Sequence, residues 1–135
     1  MTDKKIKWLI YTVLVGLIPI LCRLLAWFVT HAGTVQCFSP SDFVAFGLVL
    51  HISNINEVEH IGMVEKKWKT VQNGISVTFI AFYSVLYTLT LLGDKVVDIS
   101  AITYCSLSLA FFSFLISFAV FDRLSKLNVI DEVQN

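Results

Sequence analysis

Charge is what this sequence has least of. Only 15% of its 135 residues are Asp, Glu, Lys or Arg, and the ten basic and ten acidic residues cancel. A soluble domain carries about 25% charged residues. A protein held on nucleic acid by phosphate neutralisation carries an excess of basic ones. The balance argues against both, and no direct nucleic-acid binding is expected. Cysteine is scarce and odd in number, with three residues, which argues against a disulfide-stapled small domain. Proline is rarer still, at two residues, and no low-complexity linker divides the chain. Also missing are a nucleophile–base pair, a cluster with metal-ligand spacing, a Gly-rich phosphate loop and a cofactor box. The expectation is therefore no enzyme, no cofactor, no metal and no small-molecule substrate. What remains is apolar: 56% hydrophobic residues and a mean hydropathy of +0.77.

The apolar residues are gathered into runs. Trp8 to Thr30 holds one charge, Arg23, while 70–93 and 99–121 hold none. A bilayer core about 30 Å thick needs about 20 helical residues, and backbone amides in hydrocarbon must bond within their own segment. Each run is long enough to be a spanning helix. A shorter run from Phe43 to Asn56, FVAFGLVLHISNIN, fits an interfacial segment as well as a span. Extended over 41–58, with Ser41 as N-cap and Asp42 at the positive end of the helix dipole, it is just long enough to cross. No cleaved signal is expected, because the first run exceeds a typical signal core.

Lysine and arginine decide between three spans and four, since they gather on the cytoplasmic side of short loops. Three spans distribute the nine basic residues outside the spans four against five. Four spans place Lys4, Lys5, Lys7, Lys66, Lys67, Lys69, Arg123 and Lys126 on one side and only Lys95 on the other. The expectation is an all-α, integral membrane four-helix bundle forming one domain, 1–135. Its spans are about 8–30, 41–58, 70–93 and 99–121. Segments 1–7, 59–69 and 122–135 are cytoplasmic, as are both termini. A bacterial inner membrane is the expected location. Trp8 and Trp68 suit the inner interface, and Trp27 and Tyr104 the outer one.

A few residues stand out. Arg23 lies in the outer half of its span, where it either snorkels to headgroups or pairs with Asp42 or Asp98. Gly47, His51 and Asn54 recur at steps of four and three, so they share a polar face. That face predicts interhelical hydrogen bonds, or else a water-lined path. Small residues at four-residue spacing, Ser106 and Ala110, then Ser113 and Ser117, predict close helix packing within or between chains. Span three offers Ala81, Ser84 and Thr88. Gly16 and Pro19 predict a kink in span one. The lysine clusters Lys4, Lys5, Lys7 and Lys66, Lys67, Lys69 fit anionic lipid headgroups. Val58, Ile61, Val64 and Trp68 form an amphipathic stripe, and Leu124, Leu127, Ile130 and Val133 a second one. Ile61, Trp68, Leu127 and Ile130 are therefore the candidate partner-binding residues. Glu57, Glu59, His60 and Glu65 are read as a solvated helix extension.

The layout is a lysine-tagged N-terminus, an apolar first span, a short SPSDF turn, the FGLVLHISNINEVE helix and two closing spans. It resembles small bacterial membrane proteins found beside phage-defence effectors, in particular the membrane subunit of the Kiwa system. That resemblance implies a homo-oligomeric membrane sensor that recruits a cytosolic effector in anti-phage defence, and it assigns no individual residue. From the residues alone, two functions are expected as alternatives. One is an oligomeric scaffold or sensor coupling an envelope event to a cytosolic protein partner. The other is a small pore lined by the polar face of span two.

Overall fold

The fold is taken from a computed structural model that describes residues 3–60 and 66–134, with side chains for 6–8, 10–60 and 66–126. Among the described residues the chain is helical, without strands. The first rod consists of α1 (Asp3–Trp8), a π-helical stretch (Leu9–Leu14) and α2 (Val15–Val29). It is followed by α3 (Pro40–Glu59), α4 (Lys66–Thr90) and α5 (Ile99–Gln134). Three of these rods are long and apolar enough to cross a membrane: Ile6–Val29, Lys66–Thr90 and Ile99–Lys126.

Neighbouring helices run antiparallel. Arg23 meets Asp42 near one end of the α2–α3 pair, and Lys7 and Tyr11 share a small cavity with Glu57 at the other. Midway, Gly16 lies against Phe46 and Val49. Helix α4 returns along α3, with Tyr83 opposite Gly47 and Lys69 near Glu59. Helix α5 runs parallel to α3, as the pairings of His51 with Ser113 and Asn54 with Ser117 require. Trp8 stacks on Phe121 at 4.8 Å. The result is an up-down-up-down bundle with α3 at its axis, touching every other rod, while α4 and α5 meet only lightly.

The bundle is apolar outside and mixed inside, where Phe43, Phe46, Leu50, Val58 and Phe121 share the interior with polar groups. Its outer faces carry Tyr11, Leu25 and Phe28 on the first rod, Val71, Val77 and Val85 on α4, and Tyr104, Phe111 and Phe112 on α5, all exposed. Its interior holds His51, Asn54, Gln72, Ser76, Ser106, Ser113 and Ser117. This distribution is stable where the surrounding solvent is hydrocarbon, because buried polar groups then find partners while apolar side chains lose nothing by facing outward. Hydroxyls that do face outward are satisfied locally. Thr78, Ser84 and Thr88 each donate to the carbonyl four residues earlier.

Several boundaries differ from the sequence expectation. The N-cap of α3 is Ser39, in extended conformation, and Pro40 occupies the first turn, where its missing N–H costs nothing. Ser41 instead bonds the Ser39 hydroxyl at 3.1 Å. Helix α4 begins at Lys66 and ends at Thr90, with Gly93 at φ +85° in the following turn. In the first rod Pro19 lies inside continuous α-helix, and the departure from α geometry is the π-helical stretch two turns earlier. Gly16 serves packing: a Cβ there would lie 3.1 Å from the Phe46 ring.

Candidate functional site

The polar face predicted for α3 points inward and meets hydroxyls from both closing helices. The His51 ring is fully buried. Its Nε2 lies 2.8 Å from Ser113 Oγ on α5 and its Nδ1 lies 3.3 Å from Ser76 Oγ on α4. Tyr83 Oη of α4 lies 2.6 Å from the same Ser113 Oγ. Asn54 donates from Nδ2 to Ser117 Oγ at 2.9 Å. The imidazole stacks on Phe79, with ring centroids 4.9 Å apart. One side chain of α3 thus ties α4 and α5 together, which matters because those two helices have little direct contact.

One assignment of the donors satisfies this chain from Tyr83 to Ser76. The fully buried Tyr83 has Ser113 as its side-chain partner, so its O–H donates there. Ser113 then donates to His51 Nε2, and His51 Nδ1–H donates to Ser76. Every donor in the chain up to Ser76 is used when the imidazole is neutral with its proton on Nδ1. The reverse direction strands the Tyr83 proton in an apolar interior, at a cost of about 1–3 kcal/mol.

Gly47 contributes by what it lacks. The Tyr83 ring fills the space where a Cβ would stand, so glycine lets the tyrosine reach across α3 to Ser113. Ser113 and His51 have the separation of a nucleophile and a general base. Both are without solvent exposure, however, and Tyr83 occupies the second side of the serine oxygen. The arrangement supplies cohesion between helices.

Arg23 pairs with Asp42, its Nε donating to Oδ2, with both side chains largely covered. Asp98 takes a different role: its Oδ1 accepts from the backbone N–H groups of Ser100 and Ala101 at the start of α5. The first turn of α3 therefore carries an acid that serves both the helix dipole and Arg23 of α2.

At the opposite end the acidic residues join helices. Glu59 accepts from Asn73 Nδ2 at 2.8 Å and lies 3.8 Å from Lys69 Nζ. His60 Nδ1 donates to the Asn56 carbonyl at 2.6 Å. Lys69 is thus committed to α3 as well as to any headgroup, whereas Lys7, Lys66 and Lys67 are exposed. The side chains of Lys4 and Lys5 lie outside the described residues.

The proposed partner-binding stripes need correcting where they are described. Val58 is fully buried, Leu124 belongs to the core, and Trp68 packs against that core. The Trp68 ring is covered by the Arg123 guanidinium at 5.1 Å. An apolar periodicity marks a face that must be covered, and here the bundle covers it. Ile61 and the side chains of Leu127 and Ile130 lie outside the described residues, although the backbone of α5 is helical through both of the latter. Sequence reasoning missed Ser76 and Tyr83, which complete the His51 chain. The signal available for Ser76 was its place at helical spacing from Gln72 and Tyr83. Compared with known protein families, curated proteins and solved structures, the chain matches none.

Proposed function

We propose that the chain is a four-span scaffold or sensor of the bacterial inner membrane, with both termini cytoplasmic, that couples an event at the envelope to a cytosolic protein partner. The observation that carries this reading is the continuity of α5, 36 residues without interruption. At 1.5 Å per residue it is about 54 Å long, against a hydrocarbon core of about 30 Å. A displacement at its outer end reaches its cytoplasmic end as a rigid-body motion, with the His51 chain clamping α5 to the bundle axis. The crossing of α3 is supported by its length of 20 residues and by side-chain contacts with the first rod from Asp42 to Glu57. It also follows from the charge bias, which only an even number of crossings produces.

The partner surface is the tail of α5 beyond Lys126, together with the segment 61–65. The layout shared with phage-defence membrane proteins supplies the proposed setting, and homo-oligomerisation belongs to the same reading. The test is capture of a partner in mild detergent, with the mass of the complex measured. Leu127→Glu with Ile130→Glu abolishes capture while insertion persists; unchanged capture refutes the reading. Trp68→Glu is a poor probe, because Trp68 holds the bundle end together. The alternative, a pore, asks His51 and Asn54 to face water, and both are spent on Ser76, Ser113 and Ser117. Ion leakage from protein-loaded liposomes that His51→Leu alters would favour it.

A further inference from the structure

The inward face of the first rod follows α spacing from Val13 onward. Val13, Gly16, Leu17, Ile20 and Leu24 are buried or half-buried, while Leu14, Val15, Ile18 and Leu21 are exposed. Trp8 breaks this pattern. It is buried and stacks on Phe121 of α5 at 4.8 Å, yet it stands five residues before Val13. At about 100° per residue, an unbroken α-helix turns a residue at that distance about 140° off the face. The π-helical stretch Leu9–Leu14 removes the discrepancy, because its bonds run i→i+5 and a step of five is then closer to one turn. Continued at α spacing, the same face takes up position 9, a leucine, and Trp8 leaves it for the boundary with lipid headgroups, where indole rings are favoured. Two further observations bear on the choice. Pro19 has no N–H for the Val15 carbonyl, so the α ladder just beyond the stretch is already one bond short. Beside the stacked pair lies the cavity of about 230 Å³ bordered by Thr12, Glu57 and Phe121, which gives the indole room to move.

We propose that the first rod is a switch between two helical registers: conversion of Leu9–Leu14 from π to α geometry turns the segment Asp3–Trp8 by roughly 100°, draws Trp8 off Phe121 and frees the cytoplasmic part of α5. The α2 end stays fixed meanwhile, held by Arg23 on Asp42 and by Gly16 against Phe46. One state gives up regular α bonds for a buried aromatic stack; the other keeps the bonds and places the indole at the headgroup boundary. An element with two such packings turns a small displacement into a discrete change. The first rod reaches α5 through α1, where Trp8 stands, so release of one indole parts the two. The switch gives the sensor reading a moving part and does not depend on it, since both registers are properties of the rod.

Thiol labelling of the full-length protein in membrane vesicles tests it. Cys22, Cys37 and Cys105 are replaced by Ser, and Phe121→Cys reports whether Trp8 covers α5. Deleting Ile10, an exposed residue inside the stretch, puts Trp8 four residues before Val13, so that unbroken α-helix holds it inward and the alternative register is lost. The expected result is maleimide labelling of Phe121→Cys slowed about tenfold or more by the deletion, because the state that exposes the thiol is gone. Trp8→Ala restores fast labelling in the deletion variant. Equal labelling with and without the deletion overturns the switch, since the π stretch is then a fixed insertion; so does a deletion variant that Trp8→Ala leaves slow. A second measurement needs no deletion. With Trp27→Phe and Trp68→Phe, the single Trp8 is quenched about threefold more strongly by headgroup spin-labelled phosphatidylcholine in Phe121→Leu than with Phe121 intact. Unchanged quenching means that the indole stays inside, and overturns the switch. A protein absent from the membrane fraction overturns the placement of the rod in the bilayer, whereas a membrane-resident protein whose labelling ignores the deletion overturns the switch alone.

Discussion

A single methyl group at position 47 collides with Tyr83. A Cβ there would lie closer than 3.0 Å to three atoms of the tyrosine ring and hydroxyl, and the ring has nowhere to go. It is fully buried and hydrogen-bonded to Ser113. Retreat breaks that bond, worth about 0.6–1.7 kcal/mol between helices in lipid, and overpacking adds about 1–3 kcal/mol. Gly→Ala in a helix returns up to about 1 kcal/mol, so the net loss expected for Gly47→Ala is about 1–4 kcal/mol. Two internal controls grade the effect. At Gly16 the Cβ would stand 3.1 Å from Phe46, a contact relieved by a small ring shift, and at Gly74 nothing lies within 4 Å. Unfolding of purified protein in mixed micelles, followed by helical circular dichroism, ranks the variants Gly74→Ala, Gly16→Ala, Gly47→Ala from most to least stable. Adding Tyr83→Ala to Gly47→Ala recovers at least about 1 kcal/mol relative to additivity. A Gly47→Ala protein as stable as Gly74→Ala refutes the claimed tyrosine bridge.

Three further outcomes follow from the same geometry. Arg23→Ala leaves Asp42 largely covered without its cation and costs about 1.5–3 kcal/mol; Arg23→Ala with Asp42→Asn costs less than the single change, and thermal melting that ranks them the other way dismisses the pair. His51→Leu costs only about 1 kcal/mol, because Ser76 and Ser113 can turn back to carbonyls of their own helices as Thr78 and Ser84 do. A loss above about 3 kcal/mol in the same micelle assay means that those hydroxyls stay stranded. Asp98→Ala removes the acceptor for two backbone N–H groups of α5 and costs about 0.5–2 kcal/mol, read as fraying of the first turn by amide hydrogen exchange.

The inward face of α3 was legible because Gly47, His51 and Asn54 repeat at helical spacing in an otherwise apolar run, and hydrocarbon leaves such groups no place but the interior. Their partners were not legible. Whether Ser113 or Ser106 meets His51 depends on the axial register of α5 against α3, and spacing within one helix carries no register. The small residues of span three face away from the other helices of the chain. Ala81, Ser84 and Thr88 invite close packing within or between chains; within this chain all three are exposed, and the hydroxyls of Ser84 and Thr88 bond their own helix. Arg23 had two acids within plausible reach, and the choice of Asp42 came from the antiparallel return of α3 beside α2. Val58, Trp68 and Leu124 carry a stripe that periodicity identifies and does not assign; the bundle itself took it.

The central claim is that α3 threads the membrane at the bundle axis. Cysteine labelling tests it directly. In intact cells, with Cys22 and Cys105 replaced by Ser, native Cys37 in the loop before α3 is labelled by a membrane-impermeant maleimide. Lys67→Cys, with Cys37 also replaced, is labelled only after the membrane is opened. If both positions react from the same side, α3 does not cross and the account fails.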